Sequence, residues 1–201
     1  MCGIFGLINR HDYSVETLKQ YFDYGKKRGP EYSEYRIIDN FVSFGFHRLA
    51  INGLDEISNQ PIMNNGVYLV CNGEIYNYKQ LIKTFNMNMK TNSDCEVIIH
   101  LYNLMGERLL NHLDGVFAFM LYDSNTNTIL IGRDPFGVRP LYISYFFNGV
   151  FGFCSDLKPL MFDSNVNSIK SIGQFTPGTF MVLKNLQNRF IIEKQEKYFH
   201  N

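Results

Sequence analysis

The chain has 201 residues, enough to bury one sizeable core, and its 19 Lys plus Arg balance 19 Asp plus Glu to a formal net charge of zero. No block of positive charge is present to displace counterions from phosphates, so the composition excludes a dedicated nucleic-acid binder. The longest apolar region, Leu141 to Cys154, is too short to span a bilayer and is broken by Asn148-Gly149, which excludes a helical membrane anchor.

In chain order, Gly3 to Ile8 is a short apolar run of strand type. Val15, Leu18, Phe22 and Gly25 then fall at helical spacing. Ser14 stands as N-cap, Lys26-Lys27-Arg28 fill the last turn, and Gly29-Pro30 form the stop. Phe41 to Ile51 and Val67 to Cys71 read as strands. A second helix starts near Asn77, and a third at Ser93, where Ser93 and Glu96 form a capping-box pattern ahead of Val97, Ile98, Leu101 and Leu104. From Val116 onward VFAFMLYD, TILIGRD, LYISYFF and VFGFCS are short β-branched or aromatic segments, and Phe147-Asn148-Gly149-Val150 carries a two-residue hairpin signal. Many strands with few helices predict one α+β domain over 2–201.

The four cysteines, Cys2, Cys71, Cys95 and Cys154, contain no C-x-x-C pair and match no common zinc spacing. They point to reduced thiols in the cytoplasm. The N-terminus MCGIFGLINRHD lacks the basic lead and long apolar run of a secretory signal. A small residue after Met1 permits its removal, which leaves Cys2 with a thiol and a free α-amino group. Their ordinary pKa values, about 8.5 and about 7.7–8.0, let the amine take the thiol proton near neutral pH. Nucleophile and base then share one residue. A Met-Cys start alone is weak grounds for catalysis.

Seven blocks occur in order: MCGIFG, RGP at 28–30, HRLAI at 47–51, NGEIYN at 72–77, SDCEVI at 93–98, LDGVFAFMLYD at 113–123 and GRDPFGVRPLY at 132–142. Together they resemble the class II (N-terminal nucleophile) glutamine amidotransferase domain, and most closely the glutaminase half of glutamine-hydrolysing asparagine synthetase. The resemblance implies a four-layer αββα sandwich of two antiparallel sheets. It implies hydrolysis of L-glutamine to glutamate and ammonia through a Cys2 γ-glutamyl thioester, with a synthetase domain or subunit receiving the ammonia.

By the same resemblance, Asn72 gives a side-chain donor and Gly73 a backbone donor to the oxyanion. Arg48 holds the substrate carboxylate, aided by the Leu49, Ala50, Ile51 and Asn52 backbone, and Glu74 and Asp94 hold its ammonium. An Asn-Gly hairpin turn and a dipole-favoured acid in a first helical turn are the plainer readings of Asn72-Gly73 and Asp94. Arg28 is a near-site candidate that also fits as a basic helix end. His47 is read as structural, and Arg133, Asp134 and Arg139 receive no catalytic role. No metal or organic cofactor is expected for this half-reaction; ATP and magnesium belong to a synthetase half that these residues do not include. A homodimer stays open, as do a glutaminase serving another acceptor and a non-catalytic regulatory module. Two positions depart from the family pattern: Glu31 follows RGP where aspartate is usual, and Ser155-Asp156-Leu157-Lys158 replaces a Ser-Glu-x-x-Lys-like block.

Overall fold

The computed structural model describes residues 1–10, 13–50, 55–161 and 168–199. The first sheet holds β1 (Gly3–Ile8), β2 (Tyr32–Ile37), β3 (Val42–Arg48), β8 (Tyr142–Phe146), β9 (Phe151–Cys154) and β10 (Ile169–Gln174), in the order β10-β8-β9-β1-β3-β2. The second holds β4 (Ile62–Asn64), β5 (Val67–Ile75), β6 (Gly115–Asp123), β7 (Thr128–Arg133), β11 (Thr179–Leu186) and β12 (Arg189–Lys197), in the order β12-β11-β7-β6-β5-β4. Every pairing between these strands is antiparallel. The helices are α1 (Val15–Asp23), α2 (Tyr78–Phe85) and α3 (Val97–Met105).

Three separate apolar clusters occupy the three interfaces of a four-layer stack. Leu18 and Phe22 of α1 pack on Phe5 and Leu7 of β1. Ile4 and Ile8 on the opposite face of β1 meet Val70, Ala118 and Met120 of the second sheet. Leu69, Cys71, Phe117 and Phe119, on that sheet's far face, meet Val97, Ile98 and Leu101 of α3. The period-2 alternation of strand side chains accounts for this sorting, and burial on both faces explains the unbroken apolar runs of β1 and β6. The expected αββα sandwich is the observed architecture.

Several local expectations change. The α1 helix ends at Asp23, and Lys26–Arg28 form a separate 3-10 turn rather than its last turn. Ser93 caps through Cys95 N, but Glu96 does not reach back to the Ser93 N–H. Its fully buried carboxylate accepts instead from Lys90 N (2.9 Å), Thr91 N (2.7 Å) and Thr91 Oγ1 (2.7 Å), because the chain doubles back over the helix start. At the β8–β9 turn, Gly149 N–H donates to Phe146 O, and Gly149 alone has positive φ (85°). The loop is therefore the three residues Phe147–Gly149, since a two-residue type I′ turn needs positive φ at both central positions. Strands β2, β4, β10, β11 and β12 were not distinguished in the sequence.

Polar staples close the end of the sandwich remote from Cys2. Asn9, in the left-handed conformation (φ 60°), donates from Nδ2 to Gly149 O and Phe190 O (2.9 Å each) and accepts from Phe190 N (2.8 Å). It thereby joins the end of β1 to β12 of the other sheet. Tyr122 of β6 donates to Asp39 Oδ2 (2.6 Å) in the β2–β3 turn. Asn9→Gly keeps the backbone conformation and strands these buried groups, so denaturant melts are expected to show a loss of about 2 kcal/mol. Asn9→Ala is expected to lose roughly 1 kcal/mol more, from the left-handed backbone. An Asn9→Gly melt superimposable on wild type removes the staple.

Candidate active site

At the opposite end the inward-facing positions change from apolar to polar together. On β3, Val42, Phe44 and Phe46 face the other sheet, so Arg48 follows them inward while His47 turns outward against α1. Gly3 pairs with His47, which sets Cys2 beside Arg48 at the inner mouth. On β5, Val70 is succeeded on the same face by Asn72 and Glu74. One pocket gathers Cys2, Arg48, Leu49, Ala50, Asn72, Gly73, Glu74 and Asp94. Of the predicted binding residues, Ile51 and Asn52 lie outside the described residues.

The thiol is bracketed by one residue: Leu49 N–H donates to Cys2 Sγ (3.4 Å), and the Sγ–H points to Leu49 O (3.3 Å). Burial pushes the Cys2 thiol above its ordinary pKa, with the Leu49 hydrogen bond opposing it. Arg28 does not line the pocket. Its Nε donates to Cys2 O (3.1 Å), which fixes the Cys2 backbone from behind. This is possible because Gly29 lies against the end of β3, where a Cβ would come within 2.4 Å of the His47 and Arg48 backbone.

Asn72-Gly73 is not a turn; β5 runs straight through it and pairs Asn72 with Ala118 and Gly73 with Phe117. Asn72 is 2% exposed, and its Nδ2 has no hydrogen-bond partner among the described residues. Phe117 spends its own N–H and C=O on Asp134, away from β5, so Gly73 is a non-bonded pair whose N–H points off the β5 edge.

Arg48 is held in advance: Nη1 donates to Asp55 O (3.0 Å) and to Asn59 Oδ1 (2.5 Å). Asp94 is buried and accepts from Ile75 N through Oδ2 (2.7 Å), so it secures the β5 backbone as well as lining the pocket. Sequence reasoning missed Gln60, Cys71 and Arg139 as lining residues. Arg139 was legible only as part of its block. Asp134, which accepts from the Phe136, Val138 and Arg139 amides, shapes the loop that brings it here. Among the described residues no group of three His, Cys, Asp or Glu could hold a metal ion, and no helix is long and apolar enough to cross a membrane.

A family profile described as "Glutamine amidotransferase domain" matches residues 1–194. The chain is 40% identical over 168 residues to a probable asparagine synthetase (glutamine-hydrolyzing) of Acanthamoeba polyphaga mimivirus, covering 80% of this chain and 30% of that protein. It is 36% identical over 210 residues to the asparagine synthetase (glutamine-hydrolyzing) of Gallus gallus, covering 100% of this chain and 37% of that one. The chain thus spans about a third of the length of these curated relatives. The B. subtilis glutamine phosphoribosylpyrophosphate amidotransferase structure superposes on the whole chain and half of its own, with a TM-score of 0.78 at 20% identity, which shows a shared fold.

The outward neighbour of Arg48 yields a pH prediction. The His47 ring stacks on Phe22 at 3.8 Å. Its Nε2 contacts Phe22 O (2.9 Å), which can only accept, so Nε2 carries the hydrogen and Nδ1 accepts from Ser33 Oγ (2.7 Å). Burial holds the imidazole below its ordinary pKa of 6.5, so the unfolded chain binds the proton more readily than the folded one. The neutral ring's contribution is complete above about 6.5 and is lost as pH falls below it. Denaturant melts at pH 7.5 and 5.5 are expected to show a larger drop for wild type than for His47→Gln; equal drops contradict the neutral buried ring.

Proposed function

The chain belongs to the glutamine amidotransferase family, and from that premise we propose that it hydrolyses L-glutamine to glutamate and ammonia through a γ-glutamyl thioester on Cys2. The observation that carries this reading is the unpartnered buried Asn72 Nδ2 in the same pocket as the Cys2 thiol. A buried donor without a partner costs about 1–3 kcal/mol, a cost offset when an oxyanion arrives.

Removal of Met1, whose side chain stands at the pocket and is 50% exposed, exposes the Cys2 amine. That amine takes the proton from a thiol that burial would otherwise keep protonated. The thiolate attacks the side-chain amide carbon of glutamine. Negative charge moves to the amide oxygen, where Asn72 Nδ2 and Gly73 N–H donate to it. As the tetrahedral species collapses, the C–N bond breaks and the ammonium returns its proton to the leaving nitrogen, which departs as ammonia. Water then attacks the thioester with the amine as base, glutamate leaves, and the thiol is restored. Arg48 grips the substrate carboxylate with its planar fork, while Glu74 and Asp94 face the ammonium.

No metal or organic cofactor enters this half-reaction. The fate of the ammonia in this reading is asparagine formation, in keeping with the names of the asparagine synthetase relatives; the acceptor would be aspartate, in a synthetase domain or subunit that uses ATP and magnesium. A cytoplasmic setting suits the free thiols of Cys2, Cys71, Cys95 and Cys154.

Two measurements test the reading. Diazo-oxo-norleucine is expected to add once, on the Met-free Cys2 peptide, and both Cys2→Ala and retained Met1 are expected to abolish adduct and turnover; processed wild type that takes no adduct defeats the assignment. Asn72→Ala is expected to raise the barrier by about 2.7–4 kcal/mol, mostly in kcat. A change confined to KM removes Asn72 from the oxyanion.

A further inference from the structure

The edge of β5 carries a device that the reaction scheme above leaves unused. Beyond Leu69, which pairs with Ile62 of β4, this edge has no neighbouring strand among the described residues. Three amides, those of Cys71, Gly73 and Ile75, have the alternation that points off the edge. Bare edge amides in a buried setting are costly and leave the strand free to shift.

Two of the three are capped by side chains. The β4–β5 register, carried two residues further, sets Gln60 opposite Cys71. There Pro61 has no N–H to offer and the main chain turns away, but the Gln60 carboxamide takes the place of a strand. Cys71 N–H donates to Gln60 Oε1 (2.6 Å), and Gln60 Nε2 donates to Cys71 O (3.1 Å). The side chain thus reproduces both hydrogen bonds of a ladder pair. Asp94 Oδ2 caps Ile75 in the same manner (2.7 Å). Between them Gly73 N–H is left open, with no partner among the described residues, facing the pocket. Gly73 has no room for a side chain, since a Cβ would meet Val116 O at 2.6 Å, so β5 lies close against β6 at this point.

We infer that Gln60, resting on the glutaminase reading, is a positioning residue of that reaction: its carboxamide substitutes for a missing strand and holds the Asn72–Gly73 donors at the oxyanion. Gln60 is 5% exposed and lines the pocket beside the edge of β5. Its two bonds lie one residue from Asn72 and two from Gly73, so a small displacement at Cys71 passes directly to both donors. Glutamine suits the role because one planar carboxamide carries an acceptor and a donor side by side, as the C=O and N–H of one facing residue would be in an antiparallel ladder.

Glutaminase kinetics on Gln60→Met, which keeps the volume without the bonds, are expected to show kcat lowered by about a hundredfold with KM little changed, as for a misplaced oxyanion donor. Gln60→Glu supplies a second readout. Its ionised carboxylate accepts from Cys71 N–H but repels Cys71 O, whereas the protonated acid makes both bonds. Its activity relative to wild type is therefore expected to rise as pH is lowered, which a merely structural residue would not produce. A folded Gln60→Met with wild-type kcat, a loss confined to KM, or a flat Gln60→Glu ratio overturns the inference. Amide exchange by NMR on wild type needs no variant to fold. Cys71 and Ile75 are expected slow, with Gly73 fast alone and slowed once glutamate γ-semialdehyde adds to Cys2; a Cys71 amide as fast as Gly73 also overturns it. Wild type that does not turn over glutamine defeats the glutaminase reading instead, and leaves the exchange pattern to judge the splint.

Discussion

The antiparallel register of β1 against β3, Gly3 opposite His47, is the constraint on which the pocket depends. Side chains alternate along a strand, so a one-residue slip of β1 would carry Cys2 to the α1 side, and one of β3 would instead bring His47 into the space Arg48 occupies. The register is held from both directions. Inward, Ile4 and Ile8 pack with Phe44 and Phe46; outward, Phe5 and Leu7 pack with Leu18 and Phe22. Arg28 and the His47 contacts to Phe22 and Ser33 then tie α1, β2 and the Cys2 carbonyl to the same strand end.

The two ends of the sandwich divide the work between them. At one end, Asn9 and Tyr122 cross from sheet to sheet and satisfy their partners within the fold. At the other, the buried Asn72 Nδ2 and the off-edge Gly73 N–H are left without partners among the described residues. Donors kept open in a preorganised frame cost stability in the free protein, and under the proposed reaction they would meet the charge that develops on a substrate oxygen. Capped neighbours on either side make that openness selective, because Cys71 and Ile75 are paired and only the residue between them is not. Burial opposes ionisation of the Cys2 thiol, and the proposed reaction answers that with a proton acceptor on the same residue.

Some elements announced themselves in one dimension. Strands β1, β5, β6 and β7 are buried on both faces, so they appear as apolar runs, and Ser14 is the cap it was read to be. Strands β2 and β12 are sheet edges with much of their length exposed, and their polar sequences carry no such signal. Glu96 looked like a capping-box partner by spacing, but a chain reversal at Lys90-Thr91 offered its carboxylate closer donors.

Legible along the chain were the residue types and their order: a cysteine at position 2, an Asn-Gly pair, an arginine and two acids, in blocks whose order identifies the family. Which of those atoms face one another was settled by the fold. It turned Arg48 inward and His47 outward, set Arg28 against the back of Cys2, and gave Asp94 a backbone amide to hold. It also recruited Gln60, whose role no local pattern encodes, because a cap on an edge amide depends on where another strand fails to continue. Composition and spacing specify what groups exist; strand parity and sheet edges, set by long-range pairing, specify which are left open.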